Sequence, residues 1–99
     1  MFFLKIHKSY RDVVAICDSE LIGKVFEQGK FQLNVKENFF KGEQASEQEI
    51  IEVMEEMARE DATFNIIGKK SVNAAIKAGI VEPDAVSEIK GVPFTLILL

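Results

Sequence analysis

Cysteine occurs once in this 99-residue chain, at Cys17, so no internal disulfide can form. That fits a reducing compartment, and the chain reads as cytoplasmic. Histidine also occurs once, at His7. One imidazole and one thiol do not supply a zinc-type ligand set. No Ser-His-Asp arrangement and no paired-carboxylate site stands out. The expectations are no metal, no cofactor and no catalytic residue, and the balance points away from an enzyme. Long apolar runs are missing too. Lys5, His7 and Lys8 interrupt the first apolar segment, so neither a signal peptide nor a membrane span is expected. Repeats, low-complexity tracts and linkers are absent.

A basic excess is likewise missing, since the formal net charge is -4. The acidity is local. Residues 46–61 hold seven acids against one Arg, whereas residues 1–45 hold seven Lys/Arg against six acids. No strong electrostatic footprint for nucleic acid follows, but a weakly basic face outside the acidic segment remains open.

What is present suffices for one core. Hydrophobic residues make up 47% of the chain and include eight Phe. Residues 1–99 read as a single domain, because two cores would each be too small to offset chain entropy.

Phe2, Leu4 and Ile6 alternate with Phe3, Lys5 and His7, which predicts a strand with one buried face. Residues 12–17 are apolar on both faces and suit a more central strand, joined to the first as an antiparallel hairpin. Asp18 or Ser19 can bond the following backbone in a turn. Phe31, Leu33 and Val35 alternate with Lys30, Gln32, Asn34 and Lys36, giving a strand whose wet face is basic and amide-rich. Phe39, Phe40, Lys41 and Gly42 read as a loop with aromatic anchors.

Ser46 and Glu49 form a capping box that opens a helix running to about Arg59. Its buried stripe is Ile50, Met54, Met57 and Ala58. Its acidic face is a solvated face or a dock for a basic partner. Thr63 to Ile67 reads as a buried strand, Gly68 as a junction, and 69–78 as a second helix with Val72, Ala75 and Ile76 inward. Gly79 stands where that helix should end, with Ile80 folding back. Pro83 opens a short helical turn, residues 86–90 form a strand, Gly91-Val92-Pro93 a turn or edge interruption, and Phe94–Leu99 a final apolar strand. The sum is an α+β domain: a mixed sheet of about five to six strands with two main helices packed on one side.

Gly68-Lys69-Lys70-Ser71 has the look of a phosphate loop, but the glycine needed five positions earlier is Thr63. What survives is a helix start whose free amides, beside Lys69 and Lys70, could hold one phosphate or carboxylate. Cys17 lies in an apolar strand, where burial raises a thiol pKa, so it reads as core. Lys30, Lys36 and Lys41 near Phe39 and Phe40 could grip single-stranded RNA by phosphate contact and stacking.

Four blocks occur in order: Cys17-Asp18-x-Glu20-Leu21-x-Gly23-Lys24, Phe39-Phe40-Lys41-Gly42-Glu43, Asn65-Ile66-Ile67-Gly68 and Gly91-Val92-Pro93. Together they resemble the archaeal domain-of-unknown-function family numbered 424, over residues 1–93. The resemblance implies a small stand-alone cytoplasmic protein with no established activity and no catalytic residues to carry over. A role near RNA or translation is suspected for that family. A histidine often follows its final Gly-Val-Pro, and Phe94 stands there here.

Three expectations follow. The first is a non-enzymatic binding module for RNA or a ribonucleoprotein. Lys24, Lys30, Lys36, Lys41, Lys69 and Lys70 would contact phosphates, and Phe40 would be a stacking platform. The second is a small-anion or metabolite pocket, possibly enzymatic, at the Gly68 junction. Asp18, Glu20 and Asn65 would be its polar cleft residues if the turns converge. The third is a protein-interaction module that forms a homodimer through Phe94–Leu99.

Overall fold

A computed structural model describes residues 1–98. Its main sheet runs β5-β1-β2-β6-β8-β7. The strands are β1 (Phe2–His7), β2 (Val13–Asp18), β5 (Glu43–Ala45), β6 (Thr63–Ile67), β7 (Ser87–Ile89) and β8 (Val92–Ile97). The pair β2–β6 is parallel and every other pair antiparallel, so the sheet is mixed. Between β2 and β6 the chain leaves the sheet. There it forms the separate hairpin β3 (Val25–Gln28) and β4 (Phe31–Asn34) and the one-turn helix α1 (Glu37–Phe40), returns to the sheet as the edge strand β5, and then forms the helix α2 (Glu47–Arg59). Helix α3 (Lys69–Lys77) follows β6 directly.

Each face of the sheet is covered by a different layer. On one side Val14, Ile16, Phe64 and Ile66 meet Ile50, Met54 and Met57 of α2 and Val72, Ala74 and Ala75 of α3. This is the helical side that the apolar periodicity demands. On the other side Phe3, Ala15, Cys17, Ile67 and Ile89 lie under Leu33 of the hairpin, Val35 just after it and Phe40 of α1. That second layer corrects the one-sided reading of β1. Phe3 is buried rather than wet, and burying such a ring contributes roughly 1.5–3 kcal/mol.

The helix termini follow local chemistry. The Ser46 hydroxyl accepts from the Glu49 amide at 3.2 Å, and the Glu49 carboxylate accepts from the Ser46 amide at 2.9 Å. That second bond holds the Glu49 carboxyl below its usual range. At the end of α3, Gly79 N–H donates to Ile76 and Ile80 N–H to Ala75, the paired pattern that closes a helix with its last side chain folded back. Lys90 and Gly91 both have positive φ and form the tight turn between β7 and β8. Gly91 therefore belongs to a turn, as one of the two expectations had it, and Val92 and Pro93 start β8 and do not interrupt it.

The apolar tail is not a bare edge. Strand β8 is fifth of six, paired with β6 from Phe94 to Ile97 and with β7 from Val92 to Phe94. Beyond Phe94 its outer side has no strand partner among the described residues, and Leu96 is exposed there. The part of the expected dimer segment at Leu99 lies outside the described residues.

Candidate functional site

The parallel pair places the ends of β2 and β6 side by side, with Cys17 opposite Ile67. Asp18 is the next residue on one strand and Gly68 on the other. Asp18 is buried, and its carboxylate points onto the first turn of α3. Its Oδ1 accepts from the Ser71 amide at 2.8 Å and the Ser71 hydroxyl at 2.7 Å, and its Oδ2 accepts from the Lys70 amide at 3.1 Å. A carboxylate at that end also meets the positive pole of the helix dipole.

This corrects two expectations. Asp18 does not cap the turn that follows it, since the short 3-10 turn at Ser19–Leu21 receives no side-chain cap. Nor are the Lys70 and Ser71 amides free for a phosphate, because the protein's own carboxylate occupies them.

Gly68 has φ +115 and ψ 153, a region essentially confined to glycine. A Cβ there would lie 2.6 Å from both Asp18 carboxylate oxygens. Its own N–H donates to the Pro93 carbonyl at 2.8 Å, which ties the β2–β6 end to the start of β8.

The turns named in the sequence do converge. Asp18, Glu20, Leu21, Lys69, Lys70, Gly91, Val92 and Pro93 line a cleft of about 210 Å³ at this end of the sheet. Glu20, Lys69 and Lys70 are exposed at its rim. None of the three makes an ion pair among the described residues. The walls from Leu21, Val92 and Pro93 are half-buried and apolar. One wall is thus greasy, one edge cationic, and one corner carries a hydrogen-bond acceptor. With Asp18 spent on the helix, the rim carries two ammonium groups against one free carboxylate.

The remaining expected site residues lie elsewhere. Lys24, Lys30, Lys36 and Lys41 are exposed, but none lines the cleft. Lys41 stands 4.0 Å from Glu37. Phe40 is 4% exposed and packs edge-on against Phe39, so it cannot serve as a stacking platform. The exposed ring on that layer is Phe31, at the hairpin end beside Ile89 and Phe94. Asn65 sits within β6, paired with Ala15 and Leu96, away from the cleft. His7 stacks on Phe39 at 4.4 Å and contacts its carbonyl at 2.9 Å, which makes it a latch for α1. Among the described residues no group of three or more His, Cys, Asp or Glu is placed to hold a metal. No helix there is long and apolar enough to cross a membrane.

Cys17 lies directly beneath the site, fully buried. Burial, then the charges of Asp18 and Glu20, push its thiol from 9.0 up to about 12. The folded protein holds this proton more tightly than the unfolded chain. The thiol's contribution to stability is therefore complete below pH 9 and falls as the pH rises towards 12. A thiol reagent at pH 8 is expected to leave the native protein unlabelled and to modify Cys17 fully after unfolding. Mass spectrometry of both samples checks this, and rapid native labelling would contradict it.

The model of the family described as "Protein of unknown function (DUF424)" matches residues 7–99. The chain belongs to the DUF424 family. The match takes in all four motif blocks and also Phe94, which stands where the resemblance implies that a histidine is common. Three of the blocks supply lining residues or the supporting glycine of the DUF424 cleft, and the fourth packs α1 against β1. A search of curated proteins finds no match. Among solved structures, the chain is similar to one titled "Crystal structure of an uncharacterized conserved protein from Methanopyrus kandleri". The identity is 25% and the TM-score 0.85, over 98% of this chain and 91% of that one.

Sequence reasoning missed Leu21, Val92 and Pro93 as walls and Ser71 as the anchor of Asp18. A carboxylate closing one strand and a glycine closing another, just before a helix, was the available signal for that pairing.

Proposed function

We propose that this DUF424 protein is a non-enzymatic binding module whose cleft at the ends of β2 and β6 takes a nucleotide. The observation that carries this reading is the meeting of three separate turns around one hollow, with Lys69, Lys70 and Glu20 on its rim and in no ion pair among the described residues. Ligands commonly sit outside the carboxyl ends of parallel strands. The apolar wall suits the flat face of a base, and the two ammonium groups suit a phosphate. The Glu20 carboxylate can accept from a ribose hydroxyl or a base amino group.

A concave site favours a small ligand over a flat lysine-lined sheet, and the burial of Phe40 weakens RNA binding across the hairpin layer. A homodimer through the tail would have only the short edge beyond Phe94 to use, so the cleft is the better-supported site. The lone buried thiol and the likeness to a Methanopyrus kandleri protein support a cytoplasmic, archaeal setting.

Calorimetric titration at low salt with each of the four nucleoside monophosphates, and with inorganic phosphate, tests the reading. The expected result is binding of at least one nucleotide, more tightly than phosphate. The Lys69→Ala/Lys70→Ala double variant should weaken it about tenfold or more, the scale of one or two charge-assisted contacts. Absence of binding by all four at millimolar concentration would remove the proposal.

A further inference from the structure

Lys69, Lys70 and Pro93 line a second hollow as well as the cleft. It lies along the first turns of α3, is shallower and wider at about 410 Å³, and is completed by Val72, Asn73 and Ile76. The two hollows therefore flank one ridge, and that ridge carries both ammonium groups. Neither lysine is engaged in an ion pair among the described residues. Asn73 is exposed, and its amide offers both a donor and an acceptor, the combination that reads a base edge. Ile76 adds apolar surface beside it.

Building on the nucleotide reading, we propose that the natural ligand is a single strand of RNA. Two consecutive nucleotides would straddle the ridge, with the linking phosphate between Lys69 and Lys70. One base would occupy the cleft and the next would lie against Asn73 and Ile76. Charge sets how far the strand extends. Beyond α3 lies α2, joined to it by the Lys77–Glu47 pair at 3.2 Å, and the exposed face of α2 carries Glu52, Glu55 and Glu56. A third phosphate crossing that face would be repelled. The site is thus short, and its salt dependence is shallow. One or two neutralised phosphates give a slope of log affinity against log salt of about −0.7 to −1.4.

The experiment compares a nucleoside monophosphate, the dinucleotide and a hexanucleotide of the same base, on the intact chain and on Asn73→Ala. Asn73 is exposed on a helix, so alanine there preserves the fold, which circular dichroism verifies. The expected result is a dinucleotide bound at least tenfold more tightly than the mononucleotide, with little further gain for the hexanucleotide. In Asn73→Ala that dinucleotide advantage should fall several-fold. A dinucleotide bound no more tightly than the mononucleotide overturns the two-nucleotide site and leaves the cleft reading standing. Insensitivity of the dinucleotide to Asn73→Ala overturns it equally. Failure of the mononucleotide itself would instead count against the cleft.

Discussion

Replacing Gly68 with alanine is expected to destabilise the domain by about 2–6 kcal/mol, the sum of two causes of roughly 1–3 kcal/mol each. The first is backbone strain. At φ +115 and ψ 153 an L-residue is forced into a region that costs roughly 1–3 kcal/mol. The second is collision. The new methyl would stand 2.6 Å from both oxygens of the Asp18 carboxylate. Backbone cannot yield easily, because the Gly68 amide is held by Pro93 and its carbonyl accepts from Val72. The carboxylate must move, and its three hydrogen bonds move with it. Since a domain of this size has only about 5–15 kcal/mol of stability, the variant should be close to unfolding at ordinary temperature. Urea denaturation monitored by circular dichroism measures the loss. A change below 1 kcal/mol would show that the junction has slack which the geometry denies.

Asp18→Ala should cost about 3 kcal/mol, between the loss of a good helix cap and the exposure of several buried donors. The two amides and the Ser71 hydroxyl lose their acceptor. Asp18→Asn keeps one oxygen but turns an amide group towards a donor, so it should cost about half as much. The two sites are in contact, so their effects should not add. With Asp18 already alanine, Gly68→Ala no longer meets the carboxylate, and the backbone strain of roughly 1–3 kcal/mol remains. The double variant should therefore be more stable than the sum of the single variants implies, by about the collision share. Additive losses would contradict the contact.

These two residues also show what the sequence could reveal. The capping box at Ser46 and Glu49, the helix end at Gly79 and Ile80, and the turn opened by Pro83 were legible because each signal lies within a few residues. The main helices and the central strand were legible from apolar period. The hairpin β3–β4 was half legible. Strand β4 alternates, but Val25-Phe26-Glu27-Gln28 does not, and strands of three or four residues carry too few positions for a pattern. That missing layer is why Phe3 and Phe40 looked available and are buried.

The Asp18 cap was illegible for a different reason. Its partners lie 52 and 53 residues downstream, and only the parallel pairing of β2 with β6 brings them together. The same pairing assembles the cleft. Motif glycines, acids and prolines could be assigned to turns one by one, but their meeting at one end of the sheet is a property of topology. Asn65 illustrates the converse. It belongs to the same motif as Gly68, yet its place inside β6 keeps it out of the site.

The most direct measurement is a titration of the ¹⁵N-labelled protein with the best-bound nucleoside monophosphate, following every backbone amide. Shifts confined to Glu20, Leu21, Lys69, Lys70, Gly91 and Val92, saturating on one curve, are the result expected if the turns at the ends of β2 and β6 form the binding site. Shifts that instead fall on Lys24, Lys30, Lys36 and Lys41, with the cleft amides unmoved, would place recognition on the hairpin layer and contradict it.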